Sequence, residues 1–265
     1  MDMLRLENIH KTFGRGNIEE KKALRGLNLQ LKEGDFVTIV GSNGAGKSTL
    51  FNTISGKFTI DEGSIYLDNK DITGISEHKR ARGIGRLMQD PLKGTAPSLT
   101  ILENLALAYG RTSSSGIFAA NKKDIGYFKD LLSSLDIGLE DRMKTPVGNL
   151  SGGQRQAVTL LMCTIASPKL LLLDEHTAAL DPVNAKKITD VTERIIMEAN
   201  ITAMMITHDI REALRIGNRT IVMDDGEIIL DIKGEERKGF TLENLLTFFK
   251  GSRGNHMADD RILLS

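Results

Sequence analysis

Gly41-Ser42-Asn43-Gly44-Ala45-Gly46-Lys47-Ser48-Thr49 is the stretch on which the fold turns. It follows the pattern G-x-x-x-x-G-K-[ST]. It lies between an apolar run, Phe36-Val37-Thr38-Ile39-Val40, and the opening of a helical segment at Leu50-Phe51. Strand, glycine-rich loop and helix in that order build a phosphate cradle. The glycines let backbone N–H groups turn inward around phosphate oxygens, and the start of the helix adds a fixed partial positive charge. Lys47 is suited to neutralise β- and γ-phosphates and Ser48 to ligate Mg²⁺. The plain alternative, a glycine-rich turn with a surface lysine, leaves the flanking strand and helix unexplained.

Leu170-Leu171-Leu172-Leu173-Asp174-Glu175 is apolar without alternation, as in a parallel strand covered on both faces. In open α/β sheets the carboxyl ends of the strands form the ligand crevice. Asp174 is therefore assigned to the Mg²⁺ shell and Glu175 to an attacking water, one a metal partner and the other a general base. A strand ending in two solvated acids is common in isolation, and much less so beside the loop above.

Between these motifs stands Leu150-Ser151-Gly152-Gly153-Gln154. With it the chain resembles the nucleotide-binding subunit of ATP-binding-cassette (ABC) transporters over residues 4–230. The resemblance implies an α/β fold, a RecA-like P-loop ATPase core carrying an antiparallel β subdomain and a helical subdomain. It implies one ABC ATPase domain over residues 1–250, with the helical subdomain at about 90–167 and a tail at 251–265. ATP and Mg²⁺ are the implied cofactors. Gly41, Ser42, Asn43, Gly44, Ala45, Gly46, Lys47, Ser48 and Thr49 are the implied phosphate contacts.

In that family the signature serves the opposite subunit's site. Ser151 and Gly153, with Gly152 and Gln154 beside them, would meet a γ-phosphate held by the partner's loop, at a helix beginning near Gln154. Phe13 matches the aromatic on which adenine stacks; the plain reading is a core Phe in an early strand. Gln89 matches the glutamine that contacts Mg²⁺ and the water, so Ser48, Gln89 and Asp174 form the implied metal set. Asp181 matches the loop that crosses the dimer interface, and also reads as an N-cap before Pro182. His208 matches the switch histidine on the γ-phosphate, although a lone His is usually structural. Glu175, His208, Gln89 and Lys47 are the implied catalytic residues.

The family usually places proline after the catalytic glutamate, where this chain has His176. The plain reading is a tolerated loop substitution; the other is a second titrating group near the base. His176, the residues after the signature (Arg155 to Met162), Thr95-Ala96-Pro97-Ser98-Leu99-Thr100 and Glu103-Asn104-Leu105 together resemble a bacterial subgroup. That subgroup works with a separate integral membrane permease and an extracellular substrate-binding lipoprotein, and is associated with uptake of tryptophan or tyrosine. A homodimer in the ATP-bound state, at the cytoplasmic face of the membrane, is the implied assembly.

Composition agrees. The chain has 265 residues, 40% of them hydrophobic, enough for one substantial α/β core. Lys plus Arg equals Asp plus Glu at 35 each, so no net basic field argues for a nucleic-acid partner. The single cysteine, Cys163, falls in an apolar run, reads as a small buried residue and points to a reducing compartment. No signal-peptide pattern opens the sequence, and no apolar run approaches the ~20 residues of a membrane span.

Residues 4–13 and 27–31 read as strands of a small antiparallel sheet, joined by a loop holding the solvated run Glu19-Glu20-Lys21-Lys22. Residues 101–108 and 125–135 read as helices flanking a flexible Thr112-Ser113-Ser114-Ser115-Gly116 loop. Residues 183–199 read as an amphipathic helix, and residues 221–230 as a hairpin turning at Asp224-Asp225-Gly226. Residues 242–249 allow a further helix, and residues 251–265 read as mobile. No internal repeat is present. A translation regulator of this chemistry needs two cassettes, and a chromosome ATPase needs a long coiled coil where only about a hundred residues separate Ser48 from Leu150. A soluble assembly-factor ATPase, of the iron–sulfur type, also has one cassette and no span, and stands as the alternative.

Overall fold

A computed structural model describes residues 1–16, 20–110, 122–241 and 243–245. The chain begins with β1 (Asp2–Phe13), β2 (Lys21–Lys32), β3 (Phe36–Gly41), α1 (Lys47–Ser55), β4 (Glu62–Leu67), β5 (Lys70–Asp71) and α2 (Glu77–Arg80). It continues through β6 (Ile84–Leu87), α3 (Ile101–Tyr109), α4 (Lys122–Ser133), α5 (Gly152–Thr164), β7 (Leu170–Asp174) and α6 (Pro182–Glu198). It closes with β8 (Thr202–Ile206), α7 (Ile210–Arg215), β9 (Arg219–Asp224), β10 (Glu227–Lys233) and α8 (Gly234–Lys238). Two compact units result: Met1–Arg80 with the chain from Asn200 onward, and Ala81–Ala199.

In the first unit β3 pairs in parallel with β8 on one side and β9 on the other, and β10 runs antiparallel along β9. Every residue of β3 and of β8 is buried, which is why both read as continuous apolar runs. The polar exceptions, Thr38 and Thr202, are satisfied: the Thr38 hydroxyl donates to Ala213 O at 2.8 Å and Thr202 Oγ1 accepts from Gly34 N at 3.1 Å. Beneath this sheet Val40, Ile210, Ala213, Val222 and Leu245 share one apolar cluster. The second sheet runs in the order β2-β1-β4-β5 and is antiparallel. Its strand β2 starts at Lys21, paired with Phe13. Lys21 and Lys22 are thus exposed strand residues rather than loop, because register with β1 fixes where pairing ends.

The β9–β10 turn is Asp225-Gly226, with φ of 46° and 83°. Both central residues are left-handed, the geometry that matches strand twist in a two-residue hairpin. Arg80, 5% exposed, closes the first half of the unit. Its guanidinium donates to Thr53 O and Ile54 O at 2.8 Å each, carbonyls of the last turn of α1, and to Ile75 O and Thr73 O at 2.8 and 2.9 Å.

In the second unit β6 and β7 pair in parallel. Helix α3 opens with a reciprocal cap between Thr100 and Glu103, and Tyr109 at its end meets Phe128 of α4 edge-on, ring centres 5.6 Å apart. Helix α6 covers the amphipathic stretch expected, capped by Asp181 with Pro182 at its first position. The Thr112 to Gly116 loop, Glu19, residues 251–265 and most of the 242–249 helix lie outside the described residues. Of that last segment residues 243–245 form a helical turn, tied to Thr241 through its bond with Asn244.

Candidate active site

The phosphate loop belongs to the first unit. Gly41 ends β3 so close to β9 that a Cβ would fall 2.1 Å from Met223 O, and only glycine fits there. Gly44 and Gly46 have φ of 85° and 98°, and Gly46 occupies the N-cap of α1 without a side-chain bond to its first amides. A helix start without a side-chain cap is the setting an anion site requires. Ser42, Asn43, Ala45 and Thr49 complete the turn, with Ala45 N bonded to Ser42 O at 3.1 Å. Lys47 is 5% exposed, and its Nζ donates to Gly41 O at 2.7 Å and Ser42 O at 3.0 Å, which arches the ammonium back across the loop. Ser48 is exposed on the first turn of α1.

Phe13 stands at the end of β1, 36% exposed, edge-on to Phe58 at 5.3 Å with Lys11 Nζ 5.5 Å from its ring centre. It is not a core phenylalanine. Asp61 steadies this corner: desolvation pulls its pKa up, and the bond it accepts from Thr12 N and its pairing with Lys11 at 3.3 Å together outweigh that pull and bring the pKa down. His208 follows β8 and is half-buried beside Thr207, whose hydroxyl donates to Glu212 at 2.7 Å.

The second unit carries the acids and the signature. Asp174 ends β7 half-buried, and Arg86 of the neighbouring strand β6 pairs with its Oδ2 at 3.1 Å. Glu175 turns the chain out of the strand with φ of 48°, a left-handed conformation unusual for a non-glycine residue. His176 is 2% exposed. Its Nε2 lies 3.3 Å from Thr192 Oγ1 on α6, while that hydroxyl donates to Ile188 O at 2.7 Å. Thr192 has one proton and has given it away, so His176 Nε2 carries the hydrogen and Nδ1 is left buried with no partner among the described residues. Burial pushes the imidazole pKa down to about 4, so this histidine stays neutral at physiological pH.

Helix α5 starts at Gly152, two residues earlier than the start expected near Gln154. Ser151 is its N-cap: Gln154 N donates to Ser151 Oγ and Ser151 N to Gln154 Oε1, both at 3.3 Å. The pattern Ser-x-x-Gln announces such a box, and reading it would have placed the helix correctly. Arg155 steadies the approach by donating to Val147 O, Gly148 O and Leu150 O. A Cβ on Gly152 would lie 3.2 Å from Leu180, and one on Gly153 3.6 Å from Asn184, so the signature packs against the start of α6. There Asp181 accepts from the Asn184 side chain and backbone, which lowers its pKa. Gln89 is exposed just beyond β6, ahead of the 3₁₀ turn Pro91–Gly94.

The profile of the ABC transporter family matches residues 24–178. The chain is 40% identical over 248 residues to the tyrosine transport ATP-binding protein of Clostridioides difficile, an alignment covering 94% of this chain and 99% of that one. It is 36% identical to the xylose/arabinose import ATP-binding protein of Sulfolobus acidocaldarius, over 94% and 95% of the two chains. Among solved structures, a dimeric ATP-binding cassette in a post-hydrolysis state with ADP and Pi superposes with a TM-score of 0.75 at 31% identity, over 87% of this chain and 98% of that one. A cassette protein from Clostridium perfringens, part of the cbiONQ transporter complex, superposes with a TM-score of 0.76 at 28% identity, over 94% and 95%. Sequence relationship and superposition over nearly the full length agree with the P-loop core, and this chain belongs to the ABC transporter family as one of its ATP-binding, ATP-hydrolysing subunits.

Proposed function

We propose that this chain energises import of amino acids, aromatic ones among them, by a separate membrane permease served by an extracellular lipoprotein. The observation that carries the reading is the 40% identity with the tyrosine transport protein over nearly all of both chains. A sugar importer follows at 36%, so the cargo class rests on the first relative and the ATP chemistry on both. No helix among the described residues is long and apolar enough to cross a membrane, consistent with a permease as a separate chain at whose cytoplasmic face this subunit docks.

In the proposed reaction the loop amides from Gly41 to Thr49 and Lys47 hold the β- and γ-phosphates, and Phe13 supports the adenine. Glu175 orients a water and takes its proton as that water attacks the γ-phosphorus in line, while the bond from phosphorus to the β–γ bridging oxygen breaks and ADP leaves with that electron pair. Ser48, Asp174 and Gln89 are the Mg²⁺ set. Hydroxyl, carboxylate and amide are hard oxygen donors of the type this ion takes, and no cluster of three or more His, Cys, Asp or Glu among the described residues would hold a metal without the nucleotide. Bound there, the ion would neutralise charge on the phosphates. His208 reads the γ-phosphate; Ser151, Gly152, Gly153 and Gln154 close over the phosphates bound by the other copy of a homodimer, and Asp181 lies at that interface. A dimeric relative with ADP and Pi supports this arrangement.

The test is uptake in cells expressing the chain with its permease and lipoprotein. Labelled tyrosine or tryptophan should enter, and Lys47→Ala should stop it. Sugar uptake in place of amino-acid uptake would overturn the cargo class, and an active Lys47→Ala would overturn the phosphate assignment.

A further inference from the structure

The first half of β2 runs along the phosphate loop. Ala23 O comes so near Gly46 that a Cβ there would lie 2.6 Å from it, and Arg25 N donates to Gly226 O at 3.1 Å. Two residues before Ala23, beyond a bulge in the pairing with β1, Lys21 reaches Gly44, where a Cβ would lie 3.4 Å from its Nζ. On its other side Lys21 pairs in register with Phe13. Its ammonium therefore stands at the crest of the loop, on a strand whose neighbour carries Phe13. The neighbouring carboxylate, Glu20, accepts from Gly16 N, and among the described residues the Lys21 side chain makes no hydrogen bond or ion pair. Lys47 differs in kind, being buried and bonded to the loop's own carbonyls.

We propose that Lys21 is a second phosphate-contacting cation, which meets the polyphosphate of a nucleoside di- or triphosphate from the solvent side of the loop, opposite Lys47. The proposal rests on the ATP-binding reading and adds a residue to it. An exposed ammonium is well hydrated and screened, so its contribution to affinity is modest and falls with added salt. It grows with the charge on the ligand, which separates it from a stacking effect transmitted through Phe13.

The experiment is a titration of the full chain with fluorescent-labelled ATP, ADP and adenosine in Mg²⁺, at low and at high salt. Lys21→Ala should weaken ATP about fivefold at low salt, ADP less and adenosine not at all, with the difference shrinking at high salt. Lys21→Arg should restore ATP affinity to within about twofold, and Lys21→Glu should weaken it beyond Lys21→Ala. Unchanged melting temperatures are expected throughout, since the side chain is exposed. Lys21→Ala binding ATP as tightly as the native chain would overturn the proposal alone. Equal weakening of all three ligands would also overturn it, in favour of stacking. Failure of the native chain to bind ATP would overturn the functional reading and this contact with it.

Discussion

His176 permits a quantitative test, because one buried histidine makes stability depend on pH. Its pKa falls from 6.5 to about 4 on folding, through desolvation alone. Between these values the unfolded chain binds the proton and the folded chain refuses it, so acid favours unfolding. The contribution is fully present above 6.5 and is lost as pH falls towards about 4. At 1.36 kcal/mol per unit the whole interval is about 3 kcal/mol, and about 2 kcal/mol of it is gone by about pH 5. His176→Gln removes the titration while keeping an N–H for Thr192 Oγ1. Melting followed by far-ultraviolet circular dichroism should show the native protein losing about 5 °C more than the variant between about pH 7 and pH 5. Two curves that fall in parallel would refute the reasoning, since every other group titrates alike in both proteins.

Three more outcomes are expected. Glu175→Gln should bind ATP without turning it over and accumulate as a dimer on size exclusion, and adding Ser151→Arg at the exposed cap of α5 should dissolve that dimer; a double variant that stays dimeric with ATP would count against a shared site. Gly41→Ala should abolish folded, ATP-binding protein, because the new methyl meets Met223 O at 2.1 Å; soluble protein with native ATP affinity would contradict the close approach. Arg80→Met should cost about 3 kcal/mol or more in urea unfolding, as four carbonyls lose the guanidinium and Thr53 O keeps the bond from Gly56 N, and a loss under about 1 kcal/mol would show that water replaces it.

The parts legible in the sequence are those whose cause is local. Strands β3 and β7 read as apolar runs because burial on both faces removes the alternation, and the Asp225-Gly226 turn announces its own backbone angles. The cap at Ser151 was equally legible, because the glutamine three residues on is half of it. Other features depend on partners far along the chain. Lys21 and Lys22 read as a solvated charge run, and only pairing with β1 makes them strand. The bond from Arg86 to Asp174 exists because β6 and β7 are neighbours, which spacing does not reveal. His176 looks like a loop residue until α6 brings Thr192 against it, and burial then sets its proton.

The hairpin between β9 and β10 reaches further than its own strands. Gly226 N donates to Ala45 O at 3.1 Å, and a Cβ on Gly46 would lie 3.4 Å from Gly226 Cα, so the turn buttresses the phosphate loop from behind. A loop held in this way meets its ligand already ordered, and nucleotide affinity is not reduced by the entropy of shaping it. Because that support comes from the chain's own backbone, shaping the loop is a task of folding rather than of binding.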